Sequence, residues 1–157
     1  MTERDIRLPQ QGRLAGIDYG TVRIGVAITD PQQRLASPFE SYVRRSREAD
    51  ASFFCRLAEQ EQVVGFVVGL PVHTSGQESQ KSKEARKFGQ WLHEVTGRPV
   101  VFFVERSTTV RADELMTAGA LKGKGRKRRR DMVAAQVLLS EFLESDRRCE
   151  PPAPLED

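Results

Sequence analysis

The sequence predicts an α/β domain built on a five-stranded mixed sheet with helices on both faces. Three observations carry this. Three short strand-like segments open the chain, joined by turn-length links. Two β-rich runs follow, at 63–70 and 100–104, each preceded by a segment with helical apolar spacing. The leading three can form an antiparallel meander, whereas the later two must join it in parallel, through right-handed crossovers.

The elements are read in chain order. Leu14, Ala15, Gly16 and Ile17 form an apolar run ending at Asp18, and 24–28 form a second run beyond a Gly20-containing turn, which suggests a hairpin. Residues 36–43 make a third strand, and Pro38 favours an edge position because it cannot donate to a ladder. In 49–61, Phe53, Phe54, Leu57 and Ala58 share one helical face. The run 63–70 is continuously apolar, as expected of a strand covered on both sides. In 79–96, Ala85, Phe88, Leu92 and Val95 form a helical stripe, ended by Gly97 and Pro99. The run 100–104 reads as another buried strand, ending at Glu105. Helices are expected at 110–118, stopped near Gly119, and at 132–143. Residues 1–12 read as a polar lead-in, 13–145 as the folded domain and 146–157 as a proline-rich tail.

At 157 residues the chain suits one domain. No apolar run approaches the roughly 20 residues of a membrane helix, and the N-terminus has no apolar signal core, so a cytoplasmic location and no membrane contact are expected. Cys55 and Cys149 form no CxxC, and His73 and His93 have no metal-ligand spacing. Trp91 and the phenylalanines are assigned to the core rather than to base stacking.

Two apolar strands run directly into a carboxylate, Ile17 into Asp18 and Val104 into Glu105. Ligand sites in open α/β sheets gather beyond the carboxyl ends of strands. If the first and last strands both flank the fourth, these acids converge. Asp131 precedes the final helix, where spacing favours an N-cap. Just before it, residues 122–130 carry seven cations: Lys122, Lys124, Arg126, Lys127, Arg128, Arg129 and Arg130. The whole chain is +3, so the remainder is −4. Mutual repulsion suggests a mobile loop, and its charge density suggests a polyanion partner without base specificity. Acids beside such a loop make sense once a metal is added. Oxygen ligands suit Mg2+ or Mn2+, and two such ions can clamp a scissile phosphate.

The segment 16–21, of GxDxGT type, also resembles the phosphate hairpin of actin-like ATPases and sugar kinases, but those need a second lobe that 157 residues do not supply. A larger ordered set resembles another family. Residues 16–27, Gly69-Leu70-Pro71 with Gly76, the segment Glu105-Arg106-Ser107-Thr108-Thr109, and Asp131 followed by Ala134, Ala135, Leu138 and Leu139 are together similar to the YqgF family, also called RuvX-like or Holliday-junction-resolvase-like. The resemblance spans roughly residues 13–145. It implies an RNase H-like fold and a cytoplasmic bacterial nuclease. It further implies 5′-end processing of pre-16S ribosomal RNA, with Holliday-junction resolution as the older assignment, and Asp18, Glu105 and Asp131 as the catalytic acids. Val104 stands where the family usually has an aspartate, Ser107 where it has leucine, His73 where asparagine is common, and Arg130 where a small apolar residue is frequent.

The resulting expectation is an Mg2+- or Mn2+-dependent endonuclease acting on structured RNA, a ribosomal precursor included, or on branched DNA, as a monomer or weak homodimer. Asp18, Glu105 and Asp131 would hold the metal, and the seven cations of 122–130 the nucleic acid. Arg23 and Arg106 are either phosphate contacts or partners in surface salt bridges, and Thr108 and Thr109 either cap the following helix or contact phosphate, with capping favoured. The competing expectations are a non-catalytic nucleic-acid-binding or ribosome-assembly factor on the same fold, and an ATPase half-module.

Overall fold

The computed structural model describes residues 8–71, 79–104 and 123–145. Strands β1 (Arg13–Asp18), β2 (Arg23–Thr29) and β3 (Ala36–Val43) are followed by α1 (Arg47–Gln60), β4 (Val63–Leu70), α2 (Gln80–Thr96), β5 (Val100–Val104) and α3 (Gly123–Leu143). The helix expected at 110–118 lies outside the described residues.

The sheet order is β3-β2-β1-β4-β5. β1 and β2 pair antiparallel, as do β2 and β3, whereas β4 runs parallel to both β1 and β5. The expected mixed sheet therefore forms, and β1 and β5 both flank β4. β3 is an edge strand, as Pro38 implied, and its register against β2 shifts beside that proline. β5 differs from its expected full burial. It is the opposite edge, only Val100 is buried, and Val104 is 45% exposed.

Alternation along each strand splits the core in two. One face carries Ala15, Ile17, Val26, Phe66 and Val68, packed against Phe54 and Leu57 of α1 and Phe88 and Leu92 of α2. The other carries Leu14, Ala27 and Val67, packed against Ala135, Leu138, Leu139 and Phe142 of α3. Leu8 joins this second cluster, and the buried Gln33 side chain donates to the carbonyls of Pro9 and Gly12, strapping that segment to the sheet. Ser46 and Ser79 cap α1 and α2 by accepting amide bonds from Ala49 and Ser82, and Gly97 ends α2 in the left-handed region at φ 72°. No helix among the described residues is long and apolar enough to cross a membrane.

A buried carboxylate ties α1 to β3. Asp50 accepts from the Tyr42 hydroxyl at 2.7 Å, the Arg45 amide at 2.9 Å and Arg44 Nε at 3.3 Å. Burial acts to raise the Asp50 pKa, but these three donors outweigh it and hold the carboxyl below its ordinary value. Burial first, and the neighbouring carboxylate second, push the Tyr42 hydroxyl up to about 12.

Both shifts fix the pH dependence of stability. Asp50 is depressed in the folded state, so its contribution is complete above the ordinary aspartate range and is lost as pH falls through the folded pKa. Tyr42 is raised, so its contribution is complete below pH 10 and is lost as pH climbs toward 12. Chemical denaturation across these two windows should show both losses, and Asp50→Ala should reduce the acid-side slope, leaving the part due to Asp30, whose carboxyl is also held low by backbone amides, while costing about 2–4 kcal/mol at neutral pH.

Candidate active site

The site forms where α3 crosses the carboxyl end of β1. Asp18 is the last residue of β1, and its partner across the ladder is Gly25 of β2, itself paired with Ser41 of β3. Residues directly opposite in neighbouring strands share a face, so Asp18, Gly25 and Ser41 form one row beneath α3. Gly25 shows why the row is open at its centre. A Cβ there would run into the main-chain carbonyl of Asp131. Gly16, two residues before Asp18 on the same face, would likewise place a Cβ 2.9 Å from Leu139 Cβ and 3.1 Å from the Ala135 carbonyl. The glycines let the α3 backbone lie directly on the sheet, with Asp131 over Gly25, the ladder partner of Asp18.

Asp131 is held firmly. Arg23 Nε donates to its Oδ2 at 2.7 Å and the Ser41 hydroxyl donates to the same oxygen at 2.9 Å. The arginine and aspartate side chains are 31% and 22% exposed. Of the two roles open to Arg23, the ion pair is the one formed. Ser41 was not anticipated, because its position opposite Gly25 depends on the β2–β3 register.

Two expectations are corrected. The cationic segment is not a loop, since from Gly123 onward it forms the opening turns of α3. Lysine and arginine are good helix formers, and a helix already packed on the sheet propagates at little cost. Asp131 is consequently not an N-cap. It lies inside α3, about two turns from the helix start, and its carboxylate serves Arg23 and Ser41 instead of the helix amides. Arg126, Lys127, Arg128, Arg129 and Arg130 are all exposed, on turns that lead directly to Asp131. Lys124 lies on the same helix.

Glu105, Arg106 and Lys122 lie outside the described residues, as do Ser107, Thr108, Thr109, Gly76 and His73. β5 ends at Val104, opposite Leu70. Phe103 packs with the α3-side cluster, so Val104, one residue on, points to the other face. The position where the YqgF pattern usually has an additional aspartate is thus exposed and faces away from Asp131. Among the described residues no three His, Cys, Asp or Glu side chains gather as a metal site. The donors present, Asp18 and Asp131, are carboxylates flanking a glycine.

Comparison with known proteins agrees with this architecture. The family model described as RuvX, Holliday junction resolvase, matches residues 12–145. The chain belongs to the RuvX family. A relative from Rhodopirellula baltica is 54% identical over 139 residues, covering 88% of this chain and 80% of its own length. Another, from Rhodobacter capsulatus, is 36% identical and covers 87% and 86%. Both names make them candidate pre-16S rRNA nucleases. Among solved structures, yeast mitochondrial Holliday junction resolvase Ydc2 superposes with a TM-score of 0.55 at 9% identity, covering 90% of this chain and 81% of that one. T. thermophilus RuvC, solved with a Holliday junction substrate, gives 0.52 at 15% identity, covering 84% and 94%. The fold is that of the RuvC-like resolvases, an RNase H-like fold.

The packing of α3 makes a direct prediction for this RuvX chain. Gly25→Ala forces the Asp131 backbone to move, so stability should fall by about 1–3 kcal/mol in urea denaturation. A surface Ala substitution at Gly125, where a Cβ meets nothing within 4 Å, should leave stability unchanged or raise it slightly.

Proposed function

We propose that this RuvX chain is a divalent-metal-dependent endonuclease that hydrolyses phosphodiester bonds in structured RNA, with the 5′ end of pre-16S ribosomal RNA as its substrate. The observation that carries the reading is the row Asp18–Gly25–Ser41 with Asp131 seated over its glycine, next to exposed cationic turns. The names of the relatives give the substrate its direction.

Asp18 and Asp131 offer an oxygen-only donor set, which suits Mg2+ or Mn2+, and Glu105, next in sequence after β5, completes it in this reading. When bound, such ions make a coordinated water nucleophilic and neutralise charge on the phosphate and leaving oxygen. The protein's own parts have separate tasks. Arg23 and Ser41 fix one oxygen of Asp131, holding its carboxyl plane in place. Arg126 through Arg130 bind backbone phosphates on either side of the cleaved bond. Cations crowded at a helix N-terminus repel one another and oppose the helix dipole. A polyanion relieves both costs, so the α3 turns are built for phosphate.

Cleavage should be measured on a pre-16S 5′ fragment with Mg2+ or Mn2+, in parallel with a four-way DNA junction. Asp18→Asn should lower cleavage at least about a hundredfold, the scale of several kcal/mol of metal-held charge stabilisation, while largely retaining affinity. Metal-dependent cutting that survives Asp18→Asn excludes this site, and a protein that binds both substrates without cutting either is an assembly factor. Replacing Lys127, Arg128 and Arg129 with glutamine should reduce the slope of log affinity against log salt by about 2–3 units, read by fluorescence anisotropy.

A further inference from the structure

The opposite face of the sheet holds a second feature that the proposed chemistry does not use. A cleft of about 720 Å3 opens between the β1–β2 turn, the start of α1 and α2. It begins at Tyr19, the residue after Asp18. Its walls combine three aromatic rings, Tyr19, Phe88 and Trp91, with the cations Arg45, Arg47 and Lys87. Phe88 is core, and Trp91 packs on that core against Phe54 and Phe88, as expected, but it is half-buried and also lines the cleft.

Arg44 shows that this wall is prearranged. It donates to the Tyr19 hydroxyl at 3.0 Å and to Asp50, and its guanidinium lies 5.4 Å from the Tyr19 ring centroid and 5.8 Å from that of Phe88. Arg44 and Asp50 therefore neutralise each other within the wall. Arg45, Arg47 and Lys87 are exposed around the mouth, against one acid, Glu84, which is bonded by Gln80. The mouth is net positive.

The cleft shares one lining residue with a second cleft that reaches the cationic helix. Arg45 lines this second cleft, along β3, together with Arg56 of α1, Arg128 of α3 and one acid, Glu40. A line of cations thus runs from the turns beside Asp131, around the sheet edge, to the aromatic cleft.

We propose that the Tyr19–Trp91 cleft binds a single-stranded nucleic-acid segment leading away from the scissile phosphate, with a base stacked on Trp91 and phosphates on Arg45, Arg47 and Lys87. Arg44 already covers Tyr19 and Phe88, which leaves Trp91 as the ring for a base, and an aromatic side chain lining a cleft can be reached by a splayed base but not by one stacked in a duplex. The proposal rests on the nucleic-acid reading of the previous section and adds a second contact site on the opposite sheet face.

Trp91 is the single tryptophan of the chain, so its emission reports stacking directly. Full-length protein is titrated with a ten-nucleotide single-stranded RNA, the DNA of the same sequence, and the blunt RNA duplex. Saturable quenching by single strands and not by the duplex is expected. A response to both strands reflects base and phosphate recognition alone, and a response to RNA only adds the 2′-hydroxyl to the contact. The variant Arg45→Gln/Arg47→Gln/Lys87→Gln, checked for folding by circular dichroism, should bind at least about tenfold more weakly, with a salt slope reduced by about 2. Absence of quenching by single strands, equal quenching by the duplex, or unchanged affinity and salt slope in the folded variant overturns the proposal. The wild-type quench stands without any variant. Metal-dependent cleavage by the same preparation is scored separately. Loss of cleavage with quenching intact removes the nuclease reading, and cleavage without quenching removes only the cleft.

Discussion

The structure turns on the close approach of one helix backbone to the sheet. α3 can lie on β1 and β2 only because Gly16 and Gly25 present no side chain where Ala135, Leu139 and Asp131 pass. The apolar contacts of Leu138, Leu139 and Phe142 with Leu14 and Val67 supply the burial that holds it there. The polar end of the same contact places Asp131 over Gly25, the ladder partner of Asp18. Packing and site geometry are therefore one constraint, and a methyl group at Gly25 disturbs both.

The two faces of the sheet differ in chemistry. On the α3 side, the polar row at the carboxyl end of β1 carries Asp18, and the helix brings Asp131 and, within about two turns of it, the cations. Arg23 and Ser41 keep Asp131 ordered in this mixed field. On the α1–α2 side the analogous end is aromatic, and the Asp50 cluster with Tyr42, Arg44 and the Arg45 amide fixes the start of α1 against β3. That cluster also sets the Tyr19 ring, through Arg44. β3 and its bulge form the border between the faces, and Arg45 lines clefts along that border.

Much of the fold was legible in particular residues. The unbroken apolar run of β4 announced a central strand, and Pro38 an edge. The carboxylates ending two runs pointed to one end of a parallel sheet, and β4 does lie between β1 and β5. The misreadings have a common cause. The 122–130 segment was judged by its own repulsion, yet most of it continues a helix whose cost is borne by the packed turns after it. Asp131 was judged by its place before an apolar stripe, yet the helix begins earlier and its carboxylate is taken by two strands distant in sequence. β5 looked buried because its residues are apolar, but it is an edge with one face partly open.

Sequence alone determined the five strands and first two helices, their order, the family pattern and the identity of the acids and cations, because these follow from residue chemistry and local periodicity. It could not determine which partners those residues meet. Ser41 opposite Gly25, Arg23 on Asp131, Val104 turned from the site and Trp91 at the mouth of a cleft all depend on strand register and helix placement. Those are set by long-range packing, in which a one-residue shift sends every side chain to the other face. Tertiary structure also decided the meaning of Gly16 and Gly25: in the chain they are members of two strand runs, and in the fold they are the surface on which α3 rests.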